Sequence, residues 1–322
     1  EMQFGLVGSE MCIRDSNELS KDFGAKLLNL VRKIHEASGS VFNIDSPKQL
    51  SEILFEKLKI DTKGLKKTST GYFSTSESVL QKLSDENDIV KDILEYRSLA
   101  KLKSTYTDKI AEICDQNSRV HTSYHQAVTS TGRLSSSDPN LQNIPIRTKE
   151  GITIREAFIA PANKKILAMD YSQIELRLMA HYSQDPIMLN SFKKNEDIHK
   201  RTACEIFGIK LSEVDDEMRR RAKTINFGLL YGMSAFGLSN QLGVSRAEAD
   251  IFLNNYFERY SDVKKFMSDI VEKSKETKYV ETLYGRKIHV PNITASNYMV
   301  RQAAERAAIN APLQGSAADI IK

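Results

Sequence analysis

The stretch that most constrains this chain runs from Lys165 to His181, KILAMDYSQIELRLMAH. A short apolar run, Ile166 to Met169, ends in a carboxylate and hands over at once to Ile174, Leu176 and Leu178 at helical spacing. The apolar run predicts a buried strand, and the spacing after Gln173 predicts a helix through His181. Asp170 then stands at a strand's end, on a rigid element facing a cleft, where a carboxylate suits a hard divalent cation such as Mg²⁺. The alternative, equal on this stretch alone, is that Asp170 caps the helix.

A second stretch, Met218 to Gly237 (MRRRAKTINFGLLYGMSAFG), shifts the balance. As a helix it sets Arg219, Lys223, Phe227 and Tyr231 four residues apart, drifting about 40° per step and spanning roughly 18 Å. One face then carries two cations followed by two aromatics. That order matches a nucleoside triphosphate laid along the helix, phosphates on the cations and base against the rings. A solvated basic turn leading into a core-facing aromatic stripe is commoner in helices generally, and it is the pairing with Asp170 that favours the nucleotide.

DYSQIELR followed by RRRAKTINFGLLYG resembles the first two polymerase motifs of the A-family DNA polymerases of bacteria. Further similar blocks are YRSLAKLKSTYTDK (96–109), HTSYHQAVTSTGRLSSSDPNLQNIP (121–145), DIHKRTACEIFG (197–208) and ERAAINAPLQGSAADIIK (305–322). The resemblance runs from about Asn17 to Lys322. It implies a mostly helical α+β protein of right-hand architecture, with a palm sheet, a helical thumb and helical fingers. The implied divisions are thumb 17–115, first part of the palm 116–185, fingers 186–297 and the start of a returning palm segment 298–322. Residues 1–16 do not resemble the family, and the abrupt junction at Asn17 suggests an artefact of cloning, assembly or gene prediction.

The resemblance also implies an activity: template-directed 5′–3′ addition of dNTPs to a primer 3′-hydroxyl, with two Mg²⁺ clamping the attacking and leaving oxygens. Asp170 is the implied ligand of both ions, with the backbone carbonyl of Tyr171 assisting. Arg219, Lys223 and Gln173 hold phosphates, and Lys223 is the implied proton donor to pyrophosphate. Glu175 blocks the sugar 2′ position and pairs with Tyr231, and Phe227 and His199 lie near the incoming nucleotide. Taken alone, His199 reads as a structural residue. Implied contacts with primer-template DNA are Lys101, Lys103, Arg133, Gln142, Asn143, Arg306, Asn310 and Gln314. Arg133 reaches the minor groove at the primer end, where similarly placed acceptors let one guanidinium test pair shape without reading sequence.

The second metal carboxylate of the family belongs to an HDE motif beyond the closing helix, and no HDE occurs here. VDDE at 214–217 precedes the basic helix and is no substitute. The expectation is a fragment, inactive alone. Two readings stay open: a DNA polymerase whose further residues were not included, and a catalytically silent primer-template and dNTP-binding piece. A single-subunit RNA polymerase is opposed by Glu175.

At 322 residues the chain can bury a large core in two or three subdomains. A net charge of +4 says little about partners, but Arg97 to Lys149 holds eight Lys or Arg against four Asp or Glu. Interleaved with Tyr, Ser, Thr and Asn, that excess suits a nucleic-acid backbone. No apolar run reaches 18 residues, and three scattered Cys form neither a disulfide framework nor a zinc site. The expectation is a cytoplasmic monomer that binds no membrane.

Further elements follow in order. Leu19, Phe23, Leu27, Leu30 and Ile34 form one helical stripe, and Ser46-Pro47 opens a second helix. Residues 61–78 read as an exposed basic tip, with Lys63, Lys66 and Lys67 as further phosphate contacts by resemblance. A long helix covers Ile89 to Ile113, and Arg119 to Ile159 is loop-rich. SRAEA (245–249) starts a helix. VETLYGRKIHV (280–290) is a hairpin turning at Tyr284-Gly285. Tyr298 to Lys322 is a helix that Pro312 bends, with Arg306, Asn310 and Gln314 on one face.

Overall fold

The computed structural model describes residues 10–11, 13–146, 148–161 and 163–322. The chain is mostly helical with a few short strands, the α+β class expected. It divides into two compact units, one of residues 10–123 and 136–168, the other of 124–135 and 169–322.

The first unit holds β1 (Glu10–Met11), α1 (Ile13–Ser38), α2 (Pro47–Ser51), α3 (Glu77–Leu83), α4 (Asp88–Leu102) and α5 (Asp108–Ile113). The chain passes to the other unit and back at β2 (Ser123–His125) and β3 (Ser135–Ser137), then forms α6 (Lys149–Glu156) and β4 (Phe158–Ile159). Of residues 1–16, those at 1–9 and 12 lie outside the described residues. β1 pairs antiparallel with β4, and α1 begins at Ile13, ahead of the matching pattern.

The α1 stripe buries Phe23 and Leu30 against Leu99, Leu102, Tyr106 and Ile110, while Ile34 joins Leu50, Leu54, Leu80, Val90 and Ile93. Each such side chain removed from water contributes about 1.5–3 kcal/mol before entropy is counted. Ser46 caps α2 by accepting from Gln49 N at 3.4 Å, with Pro47 in the first turn. α4 and α5 form the long helix expected, joined through a wide turn in which Asp108 N donates to Lys103 O. Residues 61–78 are largely exposed as expected, and the Lys67 ammonium lies 5.2 Å from the Phe73 ring centre.

The second unit holds α7 (Ile174–Ser183), α8 (Pro186–Lys193), α9 (Ile198–Phe207), α10 (Asp216–Leu230), α11 (Ala235–Leu242), α12 (Arg246–Arg259) and α13 (Ser261–Thr277). The hairpin β5 (Tyr279–Glu281) and β6 (Lys287–His289) and the long helix α14 (Tyr298–Ile321) follow. Its core gathers Leu176, Met179, Ile198, Ile225, Leu229 and Tyr256. Ser245 and Glu248 form a reciprocal capping box on α12. The hairpin turns at Gly285, whose φ of +79° suits glycine. α14 runs continuously through Pro312.

The buried strand expected at Ile166 to Met169 is not formed. Residues 163–172 make no ladder with any described strand, and Leu167 and Met169 are 74% and 67% exposed. An apolar run becomes a strand only when a neighbour takes up its N–H and C=O groups and covers its side chains. No described segment does either.

Candidate active site

α10 is anchored at its start by Asp215, whose carboxylate accepts from Met218 N at 2.7 Å. Arg219, Lys223, Phe227 and Tyr231 then follow at the expected spacing, Tyr231 closing the last turn. Arg219 Nε donates to Asp197 Oδ2 at 2.7 Å. The other oxygen of Asp197 caps α9, accepting from His199 N at 2.9 Å and Lys200 N at 3.2 Å. Burial pushes the Asp197 carboxyl up, but Arg219 and the two backbone donors outweigh it and hold the pKa below the usual range.

His199 is only 3% exposed, its ring centre 5.8 Å from that of Phe227. Burial lowers its pKa to about 4, Arg219 and Lys223 adding to the effect and Asp197 opposing it. The imidazole is therefore neutral at pH 7. Lys223 is exposed on the same helix.

At the other end of the face, Tyr231 donates its hydroxyl to Glu175 Oε2 at 3.3 Å. Burial first, and then the Glu175 charge, raise the phenol's pKa. Glu175 sits in the first turn of α7 behind Gln173, a helix-starting residue held at φ +57°. The second Glu175 oxygen accepts from Arg133 Nη2. Arg133 is presented by a turn in which Gly132 N donates to Thr129 O at 3.2 Å and Thr129 Oγ1 donates to Arg133 O at 2.6 Å. Gly132, at φ +76°, lies so close under the Arg286 guanidinium that a Cβ would collide with it. Arg286 is in turn held by Asp319, its Nε donating at 3.0 Å.

Gly232 follows Tyr231 at φ +62°, and a Cβ there would come within 2.7 Å of Arg306 Cγ. The Arg306 stem thus lies on the end of the α10 face. Asn310 and Gln314 continue along α14, both partly exposed. So Arg133, Glu175, Tyr231 and Arg306 come together at one end of α10, and Arg219, Asp197 and His199 at the other.

The remaining expected residues lie on other elements. Asp170 and Tyr171 are exposed on the irregular segment before α7, and Asp170 does not cap α7. Lys103 Nζ is tied to both oxygens of Asp108 at 2.7 Å. Lys101 is exposed, as are Gln142 and Asn143 in a single turn capped by Asn140. These four belong to the first unit. Asp197 and Asn226, which the sequence reading passed over, hold residues it chose, and Arg286 packs on the turn before Arg133; only the cap position of Asp197 in DIHK signalled it beforehand.

A basic-then-aromatic helix face, with the Glu175 carboxylate and the Arg133 guanidinium at its aromatic end, marks this mostly helical protein. The chain belongs to DNA polymerase family A, whose model matches residues 14–322. It is 52% identical to DNA polymerase I of Pseudomonas aeruginosa over 305 residues, covering 94% of this chain and 33% of that protein. Against DNA polymerase I of Bacillus subtilis the identity is 50% over 319 residues, covering 98% and 36%. A solved structure described as the POL domain of Pol1 from M. smegmatis in complex with DNA primer-template and dNTP superposes with a TM-score of 0.89. The identity to it is 39%, over 98% of this chain and 55% of that one. The chain spans about a third of the length of the curated relatives it matches.

Proposed function

We propose that this chain binds primer-template DNA and a dNTP for template-directed 5′–3′ DNA synthesis, in which a primer 3′-hydroxyl attacks the nucleotide's innermost phosphorus and pyrophosphate leaves. The observation that carries this reading is the α10 face, where Arg219 and Lys223 precede Phe227 and Tyr231 and Glu175 is hydrogen-bonded at the aromatic end. Two cations can hold the triphosphate and the rings can take the base and sugar. Glu175, held by Arg133 and Tyr231, occupies the space a ribose 2′-hydroxyl would need. Lys223, exposed and cationic, is the proton donor to the leaving pyrophosphate. Arg133, Arg306, Asn310 and Gln314 take the minor groove of the duplex, and Lys101, Lys103, Gln142 and Asn143 contact primer-template. In this reading residues 17–115 are the thumb, 116–185 and 298–322 parts of the palm, and 186–297 the fingers.

Mg²⁺ would activate the hydroxyl and neutralise the triphosphate, and Asp170 and the Tyr171 carbonyl are the groups that would have to hold it. The described residues do not make that site: Asp170 stands on an unpaired segment, and no group of three or more His, Cys, Asp or Glu among them could hold an ion. The same observation favours a second reading for the 322 residues, binding without transfer.

Equilibrium binding of a fluorescent primer-template and a dNTP, followed by primer extension with Mg²⁺, tests both readings. Binding with extension establishes the first. Binding without extension establishes the second, and failure to bind refutes both.

A further inference from the structure

We propose that Asn226 is a positioning residue that fixes His199 in the tautomer with its proton on Nε2, making that nitrogen a permanent neutral donor on the triphosphate side of α10. What the donor meets rests on the function proposed above; the tautomer does not.

The argument is a count of protons. Thr202, fully buried on α9, has one hydroxyl proton, and its Oγ1 lies 2.8 Å from the Ile198 carbonyl one turn back. Of its two acceptors, this carbonyl and Asn226 Oδ1 at 3.2 Å, the carbonyl is the nearer and takes the proton, and the two lone pairs are left to accept. Tyr260 faces one at 3.4 Å; burial raises this phenol's pKa, so it stays protonated and donates. The other faces the side-chain amide of Asn226, whose Nδ2 lies 3.0 Å away. Its Oδ1 lies farther from the same oxygen, at 3.2 Å, so Nδ2 is the amide atom that pairs with it. With Nδ2 towards Thr202, its second N–H points at His199 Nδ1, 3.1 Å away. A donor at Nδ1 requires that nitrogen to be bare, so the imidazole proton sits on Nε2.

Asn226, Thr202 and Tyr260 are at most 1% exposed, so water does not substitute for any member. Nε2 has no partner among the described residues. Since no buried side-chain nitrogen there lacks one, it opens at the surface. The charges acting on the ring are Asp197, which favours the imidazolium, and Arg219 and Lys223, which oppose it alongside burial. The two cations supply charge to an anionic ligand, while His199 supplies one directed N–H whose presence does not vary with pH above the acid range.

The test is ¹⁵N NMR of the chain labelled at histidine, His199 being assigned by the resonance lost in His199→Gln. At pH 7 the wild type is expected to show a protonated Nε2 and a bare Nδ1. In Asn226→Asp the new carboxylate accepts from Nδ1, so the proton appears there and the His199 midpoint rises from about 4 to above its ordinary value near 6.5. A wild-type ring protonated on Nδ1, or an even mixture, overturns the proposal, and this spectrum decides even if the variant does not fold. An unchanged tautomer in folded Asn226→Asp also overturns it. Addition of dATP should shift Nε2. No shift refutes the nucleotide reading of this face and leaves the tautomer to its own spectrum.

Discussion

Acidification should cost this fold stability through His199 in particular. The folded pKa, about 4, lies below the ordinary imidazole value near 6.5, so between those limits the unfolded chain binds the extra proton. Stability therefore rises with pH through that window and is complete above it. At pH 5 an ordinary imidazole is almost wholly protonated while the buried ring is about one-tenth protonated, a difference of about 2 kcal/mol relative to pH 7. Carboxylates such as Asp197 titrate lower, and those outside the network contribute equally to a variant lacking the imidazole. The assay is urea unfolding followed by far-UV circular dichroism at pH 7, 6 and 5, for wild type and His199→Gln. Wild type should lose about 2 kcal/mol more than the variant between pH 7 and 5. Equal losses, within about 0.5 kcal/mol, would refute a buried neutral imidazole.

Three further outcomes are expected. Asp197→Ala removes the α9 cap and the half-exposed Arg219 pair and should lower unfolding free energy at pH 7 by about 1–2 kcal/mol; Asp197→Asn keeps a capping oxygen and should lose less than about 1. Equal losses in urea titrations would show that the cap contributes nothing. Because the folded Asp197 pKa is depressed, its contribution is present above the ordinary carboxylate range and disappears as pH falls through the folded value. Gly132→Ala introduces a Cβ at positive φ against Arg286 and should cost about 1–2 kcal/mol while displacing Arg133, read as weaker primer-template binding; unchanged affinity would disconnect that turn from DNA. Glu175→Ala should narrow the preference for dATP over ATP in competition binding, and an unchanged ratio would reject the sugar-gate role.

The amino-acid sequence by itself determined the elements whose physics is local. Four-residue spacing set the register of Arg219, Lys223, Phe227 and Tyr231 on α10, Ser46-Pro47 and Ser245 with Glu248 marked helix starts, and Gly285 marked the hairpin turn. Each depends on neighbours within a turn or two of chain, so the pattern is written where the structure forms. Tertiary structure alone decided which distant groups share a proton or a charge. Arg133 meets Glu175 across 42 residues, Asn226 meets His199 across 27, and Thr202 meets Tyr260 across 58. The two buried pairs exist because burial leaves each polar atom no partner but the one that packing brings, and nothing in sequence spacing encodes any of the three. The run Ile166 to Met169 shows the converse, since its apolar residues are β-like by composition but stay irregular and exposed where no described strand completes a ladder.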